Sequence, residues 1–447
     1  MVCKVHVAMQ GRIDATRLFG ERLWQLLKKA DWIRSLWDPQ LGIYHKGPCK
    51  DSSASLGEVL RAIKGAGDTE PQQPPIGYAL AGWHVDDALS LACDVKWELD
   101  FKLNRVAQFL KGTIEVVYAT TMTGWHGNKS LGFTLTLSEA DETVNMSAPG
   151  TLKQLCDDML KDAVRVTPKH IMSADFFNLP SGEMPDKSDP EHASVTARMA
   201  TDRHALGALI WLSEAYVEAK TPTNALCSNM AMPGFETHKR IMYQLMYMEK
   251  NSAGITFGGK HWGPMNDLQR PDDDDELIAP FTDGKKAMYY HFFSDANLLE
   301  RGTCGGVGML AGGPIQTYSQ RLQLANPCSH SAEVVAAGNN LSQVVPVNGL
   351  LQEIRIRCGS ATPFYLDSKT TVFVATSDTA VKKSVWLLRR VAVLTDNVNH
   401  GEITPIHIND PEMIADPFTK YIVVAVWSKH MLYVLNNKGF IEVWARG

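Results

Sequence analysis

Four acidic side chains in the last third of the chain have the chemical type and the positions to hold divalent metal ions. Asp295 ends an apolar, aromatic run, and Asp367 ends the apolar run 362–366. Glu333 lies where a helix is expected to begin, and Asp416 follows much later in the chain. Four carboxylates at one point repel each other unless divalent cations neutralise them, and two-metal cleavage of a phosphodiester needs such a cluster. We therefore predict that all four are catalytic residues and metal ligands, with Mg²⁺ or Mn²⁺ as the cofactor.

A second acidic pair, Asp86 and Asp87, lies between the apolar strands expected at 76–85 and 88–92. Two carboxylates at the tip of a hairpin can hold Mg²⁺ against a nucleoside triphosphate, which makes both residues candidate catalytic residues and metal ligands. The same dipeptide is also common in ordinary hairpin turns. In either case we predict a β-hairpin turn here. Any one of the later acids, taken alone, also fits a turn or a helix cap.

Four cations lie along a helix expected around Trp386, namely Lys382, Lys383, Arg389 and Arg390. Such a row is the best candidate in the chain for contact with a nucleic-acid backbone. A solvated helix face explains the same pattern equally well. The five consecutive acids at 272–276 are better explained as a solvated linker than as a metal site.

The order of these elements resembles the ribonuclease H fold: a strand with Asp, a helix with Glu, a strand with Asp and a late Asp. The local sequence around the acids is similar to the C-terminal region of copia-type (Pseudoviridae-like) retrotransposon polyproteins. The motifs that show this similarity are Ser-Asp-Ala at 294–296, Ser-Ala-Glu-Val at 331–334 and Ala-Asp-Pro-Phe-Thr-Lys at 415–420. The box 84–87, His-Val-Asp-Asp, resembles the aromatic-Val-Asp-Asp box of the family's reverse transcriptases, with His84 in the aromatic position.

This resemblance implies four segments with α+β and α/β character. They are a partial reverse-transcriptase palm, thumb and connection helices, an acidic linker, and a ribonuclease H-like mixed sheet with flanking helices. Their expected bounds are 1–145, 146–260, 261–287 and 288–447. A palm needs a third carboxylate upstream of the helix expected at 15–37, and the sequence begins after that strand. We therefore expect an incomplete polymerase site and a fragment or truncated copy of a longer polyprotein.

The function implied by the resemblance is metal-dependent, two-metal hydrolysis of RNA in RNA–DNA hybrids. The expected partner is nucleic acid, and the expected location is the cytoplasm, within a virus-like particle, or the nucleus. The alternative is an inactive relic of a retroelement that acts, if at all, as a nucleic-acid-binding module. The complete set of four acids favours the first interpretation, whereas the truncated palm and the low net charge favour the second.

Bulk properties limit these alternatives. The 447 residues fit roughly two to four domains, and 45% hydrophobic with 21% charged residues is an ordinary globular composition. A net charge of −5 confines any nucleic-acid surface to a local basic patch. The eight cysteines contain no Cys-x-x-Cys pair, so neither a zinc site nor a disulfide framework is indicated. We find no signal peptide and no apolar run of the roughly 20 residues needed to span a bilayer.

Further elements follow from periodicity. We predict an amphipathic helix over 15–37, a strand at 41–45 and an inserted loop at 46–75 between two paired strands. Residues 332–357 are expected to form a helix broken near Pro346 and Gly349. Asp416 is expected at the start of a helix.

Overall fold

In the computed structural model the chain forms two compact units. The first unit comprises residues 1–122, 277–287 and 346–357, and the second comprises 123–276, 288–345 and 358–447. The structure describes residues 24–25, 28, 32–38, 40–45, 78–84, 87–93, 128–130, 132–138, 143–258, 290–298, 302–322, 326–353, 361–377 and 385–436.

The first unit contains a four-stranded antiparallel sheet in the order β1-β2-β3-β4. Its strands are β1 (Ile33–Arg34), β2 (Leu41–His45), β3 (Tyr78–His84) and β4 (Asp87–Cys93). The predicted strand at 41–45 and its pairing with the next strand are confirmed. The helix predicted over 15–37 is wrong at its end, because Ile33 and Arg34 pair with Ile43 and Gly42 instead. Pairing with another strand overrides the local helical periodicity there.

The second unit begins with an antiparallel sheet and a group of helices. The sheet has the order β5 (Asn128–Ser130), β6 (Phe133–Ser138), β7 (Thr143–Ser147) and β8 (Ile255–Gly258). The helices between β7 and β8 are α1 (Pro149–Met159), α2 (His192–Leu212), α3 (Lys220–Cys227) and α4 (Phe235–Asn251).

A five-stranded mixed sheet follows in the same unit. Its strands are β9 (His291–Ala296), β10 (Thr303–Leu310), β11 (Gly313–Arg321), β12 (Thr362–Leu366) and β13 (Ile403–His407), and their spatial order is β11-β10-β9-β12-β13. Strands β9, β10 and β11 pair antiparallel, whereas β12 pairs parallel with both β9 and β13. The helices of this part of the chain are α5 (Ser329–Glu353), α6 (Lys369–Thr376), α7 (Val385–Asn399) and α8 (Val424–Leu435).

Helix α5 continues through Pro346, so the predicted break near Pro346 and Gly349 is wrong. An interior proline costs a helix about 3 kcal/mol, and tertiary contacts beyond it offset that cost. Gly349 packs against the Trp37 indole so closely that a Cβ would overlap the ring. Glu353, in the last turn, accepts hydrogen bonds from the Ser35 hydroxyl at 2.5 Å and the Leu36 backbone N–H at 2.7 Å.

One hydrophobic cluster runs through the second unit and draws on both of its sheets. Its members come from the range 148–255 and from the range 293–435. At the edge of this core, the Gly258 N–H donates to the Ala311 carbonyl at 2.6 Å, and the Asn436 side chain donates to the Gly258 carbonyl at 3.1 Å. The ranges expected as thumb/connection and as ribonuclease H-like therefore share a core, while the palm, thumb and linker assignments stay predictions. Among the described helices, none is long and apolar enough to cross a membrane.

Candidate metal centre

Strands β9 and β12 bring Asp295 and Asp367 to the same end of the mixed sheet. The parallel register pairs Phe293 with Tyr365, and their rings stack with centroids 4.7 Å apart. Asp295 follows Phe293 by two residues, and Asp367 follows Tyr365 by two residues. Because side chains two apart point to the same face of a strand, the two carboxylates are expected on the same face as the stacked rings.

Glu333 reaches this point from the first turns of α5. The Asn340 side chain, seven residues further along the same helix, donates to the Ser294 hydroxyl and to the Gly305 carbonyl, both at 2.8 Å. Residues seven apart lie on one helix face, so the contact that fixes Asn340 on the sheet also directs Glu333 towards it. Ligand oxygens of Asp295, Glu333 and Asp367 all lie within 4.8 Å of one another.

Burial and mutual repulsion dominate the electrostatics of this group. Burial, together with the charges of Asp295 and Asp367, raises the pKa of Glu333 well above its ordinary value, while a backbone hydrogen bond from Ala296 acts in the opposite direction. Burial and then the Asp295 charge raise the pKa of Asp367 to about 6. Removing water disfavours a carboxylate, and a like charge beside it disfavours it further.

Two oxygens of the group are buried without a hydrogen-bond partner among the described residues, Asp295 Oδ1 and Glu333 Oε2. Buried carboxylate oxygens left without a donor are costly unless a cation satisfies them. All the ligand atoms that these residues offer are carboxylate oxygens, and Mg²⁺ and Mn²⁺ prefer oxygen ligands. The three side chains therefore fit a divalent metal ion.

Asp416 lies beside this group and is held in an ion pair. It begins the 3₁₀ turn Asp416–Phe418, and its Oδ1 lies 2.7 Å from Lys420 Nζ. The Lys420 ammonium is also 3.8 Å from Asp295 Oδ2, and the Thr419 hydroxyl donates to that same Asp295 oxygen. Burial, followed by the Asp295 charge, raises the pKa of Asp416 to about 7.

A helix begins at Asp416 as predicted, but it is the short 3₁₀ helix Asp416–Phe418 and not an α-helix. The Asp416 carboxylate pairs with Lys420 one turn further on, and the next α-helix, α8, begins only at Val424 with no side-chain cap. The short turn is kept because the backbone N–H groups of Thr419 and Lys420 both bond the Asp416 carbonyl.

None of the other predicted site residues that the structure describes belongs to the acidic group of three. Asp87 is the first residue of β4 and pairs with His84 across the antiparallel ladder, while Asp86 lies outside the described residues. Asp87 is therefore in a strand at the end of a hairpin. Arg389 and Arg390 are exposed on α7, and Arg390 donates to the Asn339 side chain at 2.8 Å. Lys382 and Lys383 are outside the described residues.

Sequence reasoning missed Lys420 and Asn340 as parts of this site. Lys420 has a local signal, since it follows Asp416 at the spacing that lets oppositely charged side chains meet on one turn. Asn340 has none, because a polar residue in a long apolar helix shows its partner only once the helix is packed on the sheet.

No protein-family model and no curated protein matches the chain. Solved structures that are similar to part of it include the following two. One is the N-terminal RNase H domain of a Mycobacterium tuberculosis protein, solved as a fusion with maltose-binding protein, at 14% identity and a TM-score of 0.25. The other is an RNase H1 isolated from compost by a metagenomic approach, at 16% identity and a TM-score of 0.24. Each match covers 30% of this chain and 91% of the other. Because both TM-scores are low, the function proposed below rests on the carboxylate geometry.

Proposed function

We propose that the mixed sheet and its acidic group form a ribonuclease H-type nuclease, which hydrolyses RNA in RNA–DNA hybrids with Mg²⁺ or Mn²⁺. One observation carries the proposal: three carboxylates from two adjacent parallel strands and one helix meet within 4.8 Å, with two buried oxygens lacking a partner among the described residues. A divalent ion would neutralise a group built this way, and divalent ions at carboxylate clusters serve phosphodiester hydrolysis.

Each side chain has a distinct part in this chemistry. Asp295 and Asp367 supply oxygens from rigid strand ends, and Glu333 supplies a third from a helix that Asn340 fixes on the sheet. When bound, the metal ion supplies Lewis acidity to the attacking water and to the leaving oxygen. Because the Asp295 and Glu333 carboxylates are almost fully buried, little surrounding water competes with the ion for them.

A finer proposal concerns the rest of the chain. The motifs around the acids and the box at 84–87 support a copia-type reverse transcriptase and ribonuclease H, in which Asp86 and Asp87 belong to a polymerase palm. The hairpin register of β3 with β4 is compatible with that assignment. The exposed Arg389 and Arg390, with Lys382 and Lys383, are proposed to contact the nucleic-acid backbone. In such an element the chain would act in the cytoplasm, within a virus-like particle, or in the nucleus.

The test is cleavage of a labelled RNA–DNA hybrid by the full chain with Mg²⁺ or Mn²⁺. We expect Asp295→Asn, which removes a ligand charge and little volume, to lower the rate at least about 10–100-fold, the cost seen even for groups that only support metal ligands. Asp158→Asn serves as the control, since this residue is exposed on α1 and outside the group of three.

Unchanged cleavage by folded Asp295→Asn would refute the nuclease assignment. If the wild-type chain binds the hybrid but cleaves it with neither metal, the alternative of an inactive nucleic-acid-binding relic is correct.

A further inference from the structure

The position between Asp295 and Asp416 is filled by a side chain of the protein itself. Lys420 Nζ lies 2.7 Å from Asp416 Oδ1 and 3.8 Å from Asp295 Oδ2. In two-metal sites the ions are about 3.5–4 Å apart and share a carboxylate. Asp295 is the carboxylate common to the group of three and to the Lys420 contacts, so a second ion would need the place that the ammonium occupies.

The segment that delivers Lys420 is fixed by several contacts to the sheet. The Thr419 hydroxyl donates to Asp295 Oδ2, and the Asn297 side chain donates to the Thr419 carbonyl. Gly305, the register partner of Asp295 on β10, lets this segment approach closely: a Cβ there would lie 2.6 Å from Thr419 Cγ2. Thr419, the residue before Lys420, is therefore hydrogen-bonded to β9, the strand that carries Asp295.

The remaining carboxylates suit a single ion. An octahedral Mg²⁺ with oxygens at about 2.1 Å spans at most about 4 Å between opposite ligands. The oxygens of Asp295, Glu333 and Asp367 lie within 4.8 Å of one another, which small side-chain adjustments bring to that size. One divalent ion and one ammonium together neutralise three of the four carboxylate charges.

We infer that Lys420 is the fixed second cation of this centre, so that the site binds one divalent metal ion where the sequence pattern predicts two. This inference rests on the proposed function, because it assigns the charge balance of the same nuclease site. Lys420 is a positioning residue here: it holds Asp416 and neutralises part of the cluster. A lysine ammonium is compact and can take the place of a hydrated ion beside carboxylates.

The test counts bound Mn²⁺ by electron paramagnetic resonance of the free ion, using the full chain. Ions bound elsewhere, for example by the acids at 272–276, are removed by subtracting the count for the double variant Asp295→Asn/Asp367→Asn. The site-dependent count is expected to be one for the wild-type chain and two for Lys420→Met, in which the ammonium is lost and the four carboxylates remain.

Two variants control for charge and for position. Lys420→Arg keeps the positive charge, and Lys429→Met removes an exposed lysine on α8; both are expected to keep a count of one. A count of two in the wild-type chain overturns the inference, and so does a count of one in folded Lys420→Met. The wild-type count decides the question by itself if Lys420→Met does not fold.

Hybrid cleavage measured in parallel separates this inference from the nuclease proposal. A count that changes from one to two without any cleavage supports the role of Lys420 and refutes the nuclease. Cleavage that depends on Asp295, with a wild-type count of two, supports the nuclease and refutes the role of Lys420.

Discussion

Each carboxylate of the centre is held by a different element, and its position on that element determines how far it is exposed to solvent. Asp295 is 1% exposed and Glu333 5% exposed, whereas Asp367 follows the end of its strand and is half-buried. Without a metal ion, protonation of these carboxylates lowers both their mutual repulsion and the cost of burying their charges. Metal binding and protonation therefore compete for the same oxygens.

That competition makes the metal-free protein sensitive to pH. Burial and the Asp295 charge raise the pKa of Asp367 to about 6 from an ordinary value of 3.8, so the folded chain binds more protons than the unfolded chain between about pH 4 and 6. The contribution of Asp367 to stability is therefore present below about pH 4 and is lost as the pH rises through 6. We expect the unfolding free energy of the wild-type chain, minus that of Asp367→Asn, to fall over this window and then level off.

Denaturant unfolding in EDTA at several pH values measures this difference. Taking the difference cancels other groups that titrate nearby, such as Glu218, whose pKa burial raises to about 7, and His170, whose pKa burial lowers to about 4. A difference that rises between pH 4 and 6 contradicts the prediction. Saturating Mg²⁺ is expected to favour the ionised wild-type chain and so to reduce the fall.

At the residue scale, much of the candidate site could be predicted from the sequence. A strand-terminal Asp can be recognised because an apolar run ends there, and parallel pairing of two such strands brings their acids together. The partner of Asp416 could not be predicted with the same ease, because Lys420 faces the centre only once Gly305 admits the turn at 416–420. Metal-binding roles for all these residues stay predictions.

At the element scale, Gly305 determines how closely the Asp416–Phe418 turn approaches β10. A Cβ at this position would lie 3.0 Å from the backbone carbon of Phe418 as well as 2.6 Å from Thr419 Cγ2. The backbone atom cannot move as a flexible side chain can. We therefore expect Gly305→Ala to destabilise the protein by about 1–3 kcal/mol, the usual cost of overpacking, and to reduce metal binding by displacing Lys420 and Asp416.

Gly207→Ala is the matched control, since an added Cβ there meets nothing within 4 Å and the residue is exposed inside α2. Alanine is the better helix former, so this variant should gain roughly 0.5–1 kcal/mol. Thermal unfolding and Mn²⁺ titration of both variants test the pair. If Gly305→Ala is as stable as the wild-type chain and binds Mn²⁺ equally well, the close approach of the turn does not matter.

Strand and helix types were more predictable than their ends. The runs at 41–45 and 362–366 are strands within the bounds expected of them, because alternation and β-branched or aromatic residues agree there. The end of the helix expected at 15–37 and the continuity of α5 past Pro346 depend on pairing with Ile43 and packing on Trp37. Such distant contacts leave no local pattern in the sequence.

At the scale of the whole second unit, one face of the mixed sheet, with Phe293 and Tyr365, belongs to the same hydrophobic cluster as the helices of 149–251. Trp427 on α8 packs against Tyr247 on α4 and against His170, with ring centroids 6.0 and 4.7 Å away. Asn224 on α3 donates to the Ser319 hydroxyl on β11 at 3.4 Å. Removing 123–276 would expose the apolar surface of β11 and α8 to water.

We therefore expect residues 288–447 alone to be much less stable than residues 123–447, although they contain all four acids. Circular dichroism melting curves of the two fragments, with Mg²⁺ present in both, measure the difference. A cooperative transition of 288–447 at the temperature found for 123–447 would show that the shared core contributes little.

The hydrogen bonds of Asn436 have a consequence for how the chain is made. This residue ends α8 in the left-handed conformation, φ 46°, and donates to the carbonyls of Thr256 and Gly258, about 180 residues earlier. Two backbone carbonyls of β8 therefore lack these hydrogen bonds until the ribosome has synthesised Asn436. Contacts of such long sequence separation slow folding, and the apolar surfaces they will cover stay exposed to water until the contacts form. During synthesis, the helices of 149–251 should therefore be a binding site for chaperones until α8 arrives to cover them.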